Sequence, residues 1–182
     1  MRIAPIGFFV IFSFFMGTSL LAHAQEQYAS VNITTPPHWS MREMQTFSGS
    51  VPSRAWIYAK GDEEVVVSAM VTEGIVTGLE GQSVSMLAKL YTEALVVGWG
   101  GKSKGEPDGS NQAIFCGGEA GYKLEATFGD KKFDYYGCLM LRKDNFRATA
   151  VVTWVPAGAP EETASRRLMT FVQAIDMGKP ED

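Results

Sequence analysis

Apolar and polar positions alternate most regularly in the second half of the chain. Tyr122, Leu124, Ala126 and Phe128 are interleaved with Lys123, Glu125 and Thr127, the two-residue period of a strand with one wet face. Gly129-Asp130 then offers a turn into Lys132 to Arg142, and Lys143-Asp144-Asn145 a second turn into Phe146 to Trp154. In that last run Phe146, Ala148, Ala150, Val152 and Trp154 oppose Arg147, Thr149 and Thr153. Three strands joined by tight turns predict an antiparallel meander, and Asn111 to Gly117 can pair before it.

In the first half, Val31 to Pro37 reads as a short strand halted where Pro36-Pro37 removes two backbone donors. Ser40 to Gln45 reads as a helical turn and Arg54 to Lys60 as a second strand. Glu64 to Glu73 is Val-rich, as expected of a strand buried on both faces.

Two segments switch to helical periodicity. Val84, Leu87, Ala88, Tyr91 and Leu95 form one stripe, with Ser83 as N-cap and Gly98 at the end, predicting a helix over about 84–97. Pro160, Glu161 and Glu162 suit a helix start, and Ala164, Leu168, Phe171, Val172 and Ile175 give a core-facing stripe, predicting a closing helix over about 160–176 before Gly178 and Pro180. Between the helix and the meander, Gly100 to Gly109 (GGKSKGEPDG) reads as an exposed loop. The pattern as a whole is α+β, with a mostly antiparallel sheet and two helices.

Composition changes this picture at the N-terminus. Arg2, the apolar run Ile6 to Leu21 and Ala22-His23-Ala24 have the form of a secretory signal peptide cleaved after Ala24. The expected organisation is therefore a signal peptide over 1–24 and a single domain over 25–182, periplasmic or secreted, with no stable membrane anchor after cleavage. Of 182 residues, 46% are apolar and 20% charged, and the formal net charge is −4. Arg2 is the only charged residue of the signal, so the remainder is slightly more acidic still, without the basic density that phosphate backbones require. Nucleic acid is not an expected partner.

Export also decides how the thiols read. Cys116 and Cys138 are the only cysteines, and two thiols delivered to an oxidising space are expected to pair. For a separation of 22 positions the chain-entropy model gives roughly 3 kcal/mol. A redox pair would need the Cys-x-x-Cys spacing, which this chain lacks.

Reaction chemistry is sparsely provided. His38 is the only histidine after Ala24, no Gly-x-Ser-x-Gly elbow occurs, and ligands for a metal are too few, so no catalytic residue, metal or cofactor is expected. Gly101-Lys102-Ser103 lacks the earlier glycine of a phosphate-binding loop, and Gly117 to Gly121 does not match Gly-x-Gly-x-x-Gly. Glu63-Glu64, Glu161-Glu162 and Asp134 supply carboxylates, which act as glycosidase acids only when two face each other across a cleft. Asn32-Ile33-Thr34 is a glycosylation sequon that matters only in a eukaryotic host.

Aromatic residues supply the binding candidates. Trp56 and Tyr58 share a face with Arg54 and Lys60, opposite Ala55, Ile57 and Ala59. If the small-residue face is buried, Trp56 and Tyr58 point outward as interface anchors; the opposite assignment puts them in the core. Trp99, beside Lys102 and Lys104, is a further candidate.

The order of elements resembles the PsbP-like superfamily, which includes the DcrB-like proteins. The resemblance rests on a strand ending in Pro36-Pro37-His38-Trp39, a Val-rich strand, the helix from Val84, the meander, and a last helix carrying Phe171-Val172-Gln173-Ala174-Ile175. It implies an α/β/α sandwich and a non-enzymatic binding or assembly role, with no site residues to carry over. The expected function is accordingly an exported protein-binding module, such as an immunity protein or envelope assembly factor. The alternative is a small-molecule-binding protein or a hydrolase with a carboxylate site.

Overall fold

The computed structural model describes residues 31–47, 53–71, 96–97, 101–104, 116–117, 120–142 and 147–177. Its strands are β1 (Asn32–Ile33), β2 (Ser40–Phe47), β3 (Ser53–Lys60), β4 (Glu63–Val71), β5 (Lys102–Lys104), β6 (Ala120–Phe128), β7 (Lys131–Arg142), β8 (Arg147–Pro156) and β9 (Ile175–Asp176); helix α1 spans Glu161–Val172. Seven strands form one sheet in the order β2-β3-β4-β8-β7-β6-β5, and β1 pairs with β9 in a separate ribbon. Every pairing is antiparallel. The fold is α+β, dominated by an antiparallel sheet.

The meander forms as its pattern predicts. Gly129 takes a positive φ of 58° at the β6–β7 turn, and Tyr122, Leu124 and Ala126 are buried while Glu125 is exposed. Val65, Val66 and Val67 are buried on both faces of β4, as are Val151 and Val152 on β8. These two strands sit at the centre of the sheet, where neither face meets water.

Each face has its own core. On one, α1 buries Ala164, Leu168 and Phe171 against Trp56, Tyr58, Val65, Val67, Tyr136, Met140, Val151 and Val155. The Phe171 ring lies 4.9 Å from Tyr58 and meets Trp39 edge-on at 5.1 Å. Burying such a side chain contributes roughly 1.5–3 kcal/mol. On the other face, Tyr122, Leu124, Tyr135, Leu139 and Val152 cluster around Val96, one of two helical residues described there. The rest of the expected 84–97 helix lies outside the described residues.

Four expectations are corrected. Ser40 to Gln45 is strand: β2 pairs with β3, and its register slips by one residue between Met41 and Glu43. That irregularity brings Met41 and Met44, three positions apart, onto one face and imitates helical spacing. The closing helix ends at Val172, because Ile175 pairs with Ile33 instead of continuing the stripe. Thr149 and Thr153 are fully buried, since their side of β8 lies beneath α1 and faces no water. Finally, the expected loop from Gly100 contains β5, which pairs Ser103 with Ala126 on β6.

Candidate functional site

Side chains on β3 settle which way the aromatic candidates point. Trp56 is 9% exposed and Tyr58 3%, both inside the α1-side core, so their outward presentation is corrected. Ala55 is buried as well, so the small-residue face does not give them up to solvent. Burial raises the Tyr58 hydroxyl above its ordinary value, against a lowering hydrogen bond with Thr35. Trp99 lies outside the described residues. Lys102 is exposed on β5, and Lys104 ends that strand. Trp56 and Tyr58 therefore do not join the two lysines in one surface. Cys116 and Cys138 are disulfide-bonded, with Cα atoms 5.6 Å apart, both fully buried.

Of the carboxylates named above, three meet an arginine, and Glu162 stays exposed at the start of α1. Glu63 accepts from Arg167 at 3.0 Å, Glu64 from Arg42, and Glu162 faces Arg166 at 3.6 Å. Asp134 is the buried one. It accepts the Gly158 N–H at 3.2 Å and lies 3.5 Å from Lys123 Nζ, whose ammonium stands 5.4 Å over the Tyr136 ring. Burial works against the charge on Lys123, but Tyr136 and Asp134 outweigh it and raise its pKa. Tyr136 is itself raised, chiefly by burial, and Tyr135 on the opposite face is raised by burial and by Glu64.

Lys123 and Asp134, with Glu125, Thr127 and Lys132, line an open groove of about 310 Å³ between β6, β7 and the β8–α1 turn at Ala157-Gly158. A lysine held protonated is not a nucleophile near neutral pH, and Asp134 is committed to two partners. What the arrangement does is tie the turn before α1 to the β6–β7 hairpin. Among the described residues, no group of three or more His, Cys, Asp or Glu is placed to hold a metal ion, and no helix is long and apolar enough to cross a membrane.

Exposed large apolar side chains among the described residues are Val97, beside buried Val96, and two on a strand whose sequence reads as a helical turn. Met41 is 54% exposed and Met44 52%, on the strand at one end of the sheet. They stand opposite Tyr58 and Trp56 respectively, so they extend the apolar face under α1 outward into solvent. Their only signal in the sequence is the spacing Met-x-x-Met around Arg42-Glu43, which reads equally well as a helical turn. No family model, curated protein or solved structure matches this chain.

Proposed function

We propose that the chain is an exported, periplasmic or secreted protein-binding module without enzymatic activity. Its contact surface in this reading is the edge of β2 that no strand among the described residues pairs with, together with Met41 and Met44. The carrying observation is the pair of half-exposed methionines on an edge strand eight residues long. Such a strand offers a row of backbone donors and acceptors to an added strand, while methionine adapts its shape to varied partners. The disulfide supports export, because bonds of this kind persist in oxidising compartments.

In the same reading the fold is an α/β/α sandwich of the PsbP-like kind. The helix expected over about 84–97 would be its second helical layer; of it only Val96 and Val97 are described, and Val96, helical and buried with residues of β6, β7 and β8, supports the reading. An envelope assembly factor fits this surface better than an immunity protein, since the contact edge carries one cation, one anion and an apolar pair and is not strongly acidic.

The test is a photo-crosslinking residue at position 44, compared with the same residue at Gln173, exposed beyond the end of α1. In living cells of the host, position 44 is expected to yield one dominant adduct and position 173 none. Equal adducts from both positions, or none from either, refute the docking role. Turnover of a substrate abolished by Asp134→Asn in folded protein would replace it with the hydrolase reading.

A further inference from the structure

The chemistry of β2 restricts what can add to it. Among the described residues β3 pairs with one side of β2 and no strand pairs with the other. Because the register slips between Met41 and Glu43, the methionines share the α1 face, while Arg42 and Glu43 lie together between them. Arg42 reaches Glu64, which stands opposite Ala59 on the face away from Tyr58, and Glu43 stands opposite Ile57 on that same side. The edge thus presents on one face a cation that reaches Glu64 and, beside it, an anion that accepts from Gln45 Nε2 at 2.6 Å, flanked by an apolar pair on the other.

Such a strand complements itself. Placed antiparallel about a two-fold axis between Arg42 and Glu43, Arg42 meets Glu43 of the partner subunit and Met41 meets Met44 of the partner subunit. Other registers are worse. An axis through Glu43 sets two carboxylates face to face, one through Arg42 sets two guanidiniums together, and one between Glu43 and Met44 sets Glu43 opposite a residue whose side chain is on the other face, leaving no opposite charges paired. Like charges directly opposite are destabilising in a sheet, and opposite charges stabilise it. Isologous pairing of one patch with itself is also the commonest geometry of homodimers.

We infer that β2 pairs antiparallel with β2 of a second copy of this chain, joining two seven-stranded sheets through two Arg42–Glu43 pairs and two Met41–Met44 contacts. The inference rests on the reading of β2 as a docking edge and names its occupant. An eight-residue strand is about 27 Å long, a contact at the small end of specific interfaces, so dissociation in the micromolar range is expected.

Sedimentation from about 1 to 200 µM brackets that range. It is run on the chain expressed with its own first 24 residues and purified as processed. The wild type is expected to dimerise. Glu43→Lys turns both attractive pairs repulsive and should weaken the dimer about tenfold or more. Combining it with Arg42→Glu restores opposite charges and should recover most of the loss.

Hydrogen exchange of the amides of residues 40–47 is expected to slow as wild-type concentration rises, with no change at β5. A wild-type monomer throughout the range overturns the inference. So does a dimer indifferent to Glu43→Lys, or a folded double variant that stays monomeric. If a variant fails to fold, the exchange of the wild type decides by itself. A monomer whose position 44 crosslinks to a different protein defeats self-pairing while leaving the docking module standing; equal adducts from positions 44 and 173 defeat the module itself.

Discussion

The face that α1 covers runs out of cover on both sides of the helix, and the two margins are built from different chemistry. The helix packs on β8 and β7 and touches β4. A cylinder about 10 Å wide shelters only about two strand spacings, fewer than a seven-stranded sheet offers. On the β6 side the uncovered positions are Lys123, Glu125 and Thr127, with Asp134 satisfied beneath them. On the β2 side they are Met41 and Met44, followed by Thr46. Both margins have the same geometric excuse for exposure, yet only one is polar throughout. Among the described residues nothing covers the methionines, which is what the proposed docking role would explain. Among the described residues the other end of the sheet supports the contrast, since two of the three residues of β5 are lysine, which discourages pairing.

The covered centre between these margins should carry the largest energetic effect. Phe171→Ala removes the ring on which Tyr58 and Trp39 close, and a loss of about 3–5 kcal/mol is expected in denaturant unfolding. A loss below about 1 kcal/mol would mean that α1 does not seal that face.

The polar margin comes next. Lys123→Met strips a charged partner from buried Asp134 and is expected to cost about 1–3 kcal/mol, towards the lower end because the lysine is part-exposed. Measured against Lys123→Arg, which keeps the charge, the difference isolates the pair.

Alkaline pH acts on the centre and the polar margin together. Tyr58, Tyr135 and Tyr136 are all raised from 10.0. Folded protein holds these protons more tightly than the unfolded chain, so stability is constant below about pH 10 and falls above it. Thermal melts at pH 8 and pH 11 should differ in that direction, and a melt unchanged at pH 11 would contradict the burial of these rings.

The apolar margin is expected to give the smallest effect. Met44→Ser should shift stability by no more than about 0.5 kcal/mol, although it removes a large apolar group. If Met44→Ser destabilised the monomer as much as Lys123→Met, the methionines would be part of the core and the contrast between margins would disappear.

What the sequence disclosed follows from the same physics. Strands with one wet face, such as β6, announced themselves through Lys123, Glu125 and Thr127, and the stripe of α1 through Ala164, Leu168 and Phe171. Alternation loses its meaning where both faces are dry. Ala55 and Trp56 are neighbours and both buried, so composition left the direction of β3 open, and Thr149 and Thr153 looked wet only because the helix above them is remote in sequence. The docking edge was illegible for another reason: a single slipped residue at β2 gave a strand the spacing of a helix. The bond between Cys116 and Cys138 was legible from cysteine count and the expected export, whereas the partnership of Lys123 with Asp134 depends on the cross-strand register.

One pairing in the meander reaches beyond this molecule. Tyr122 stands opposite Gly137, and its ring occupies the space that a Cβ at 137 would need. The two positions are therefore a single inherited character: a methyl group at one requires a smaller residue at the other. Among divergent descendants of the same ancestor, a ring at the first site should travel with a bare backbone at the second, and that coupled choice is a more discriminating mark of kinship than any run of consecutive letters.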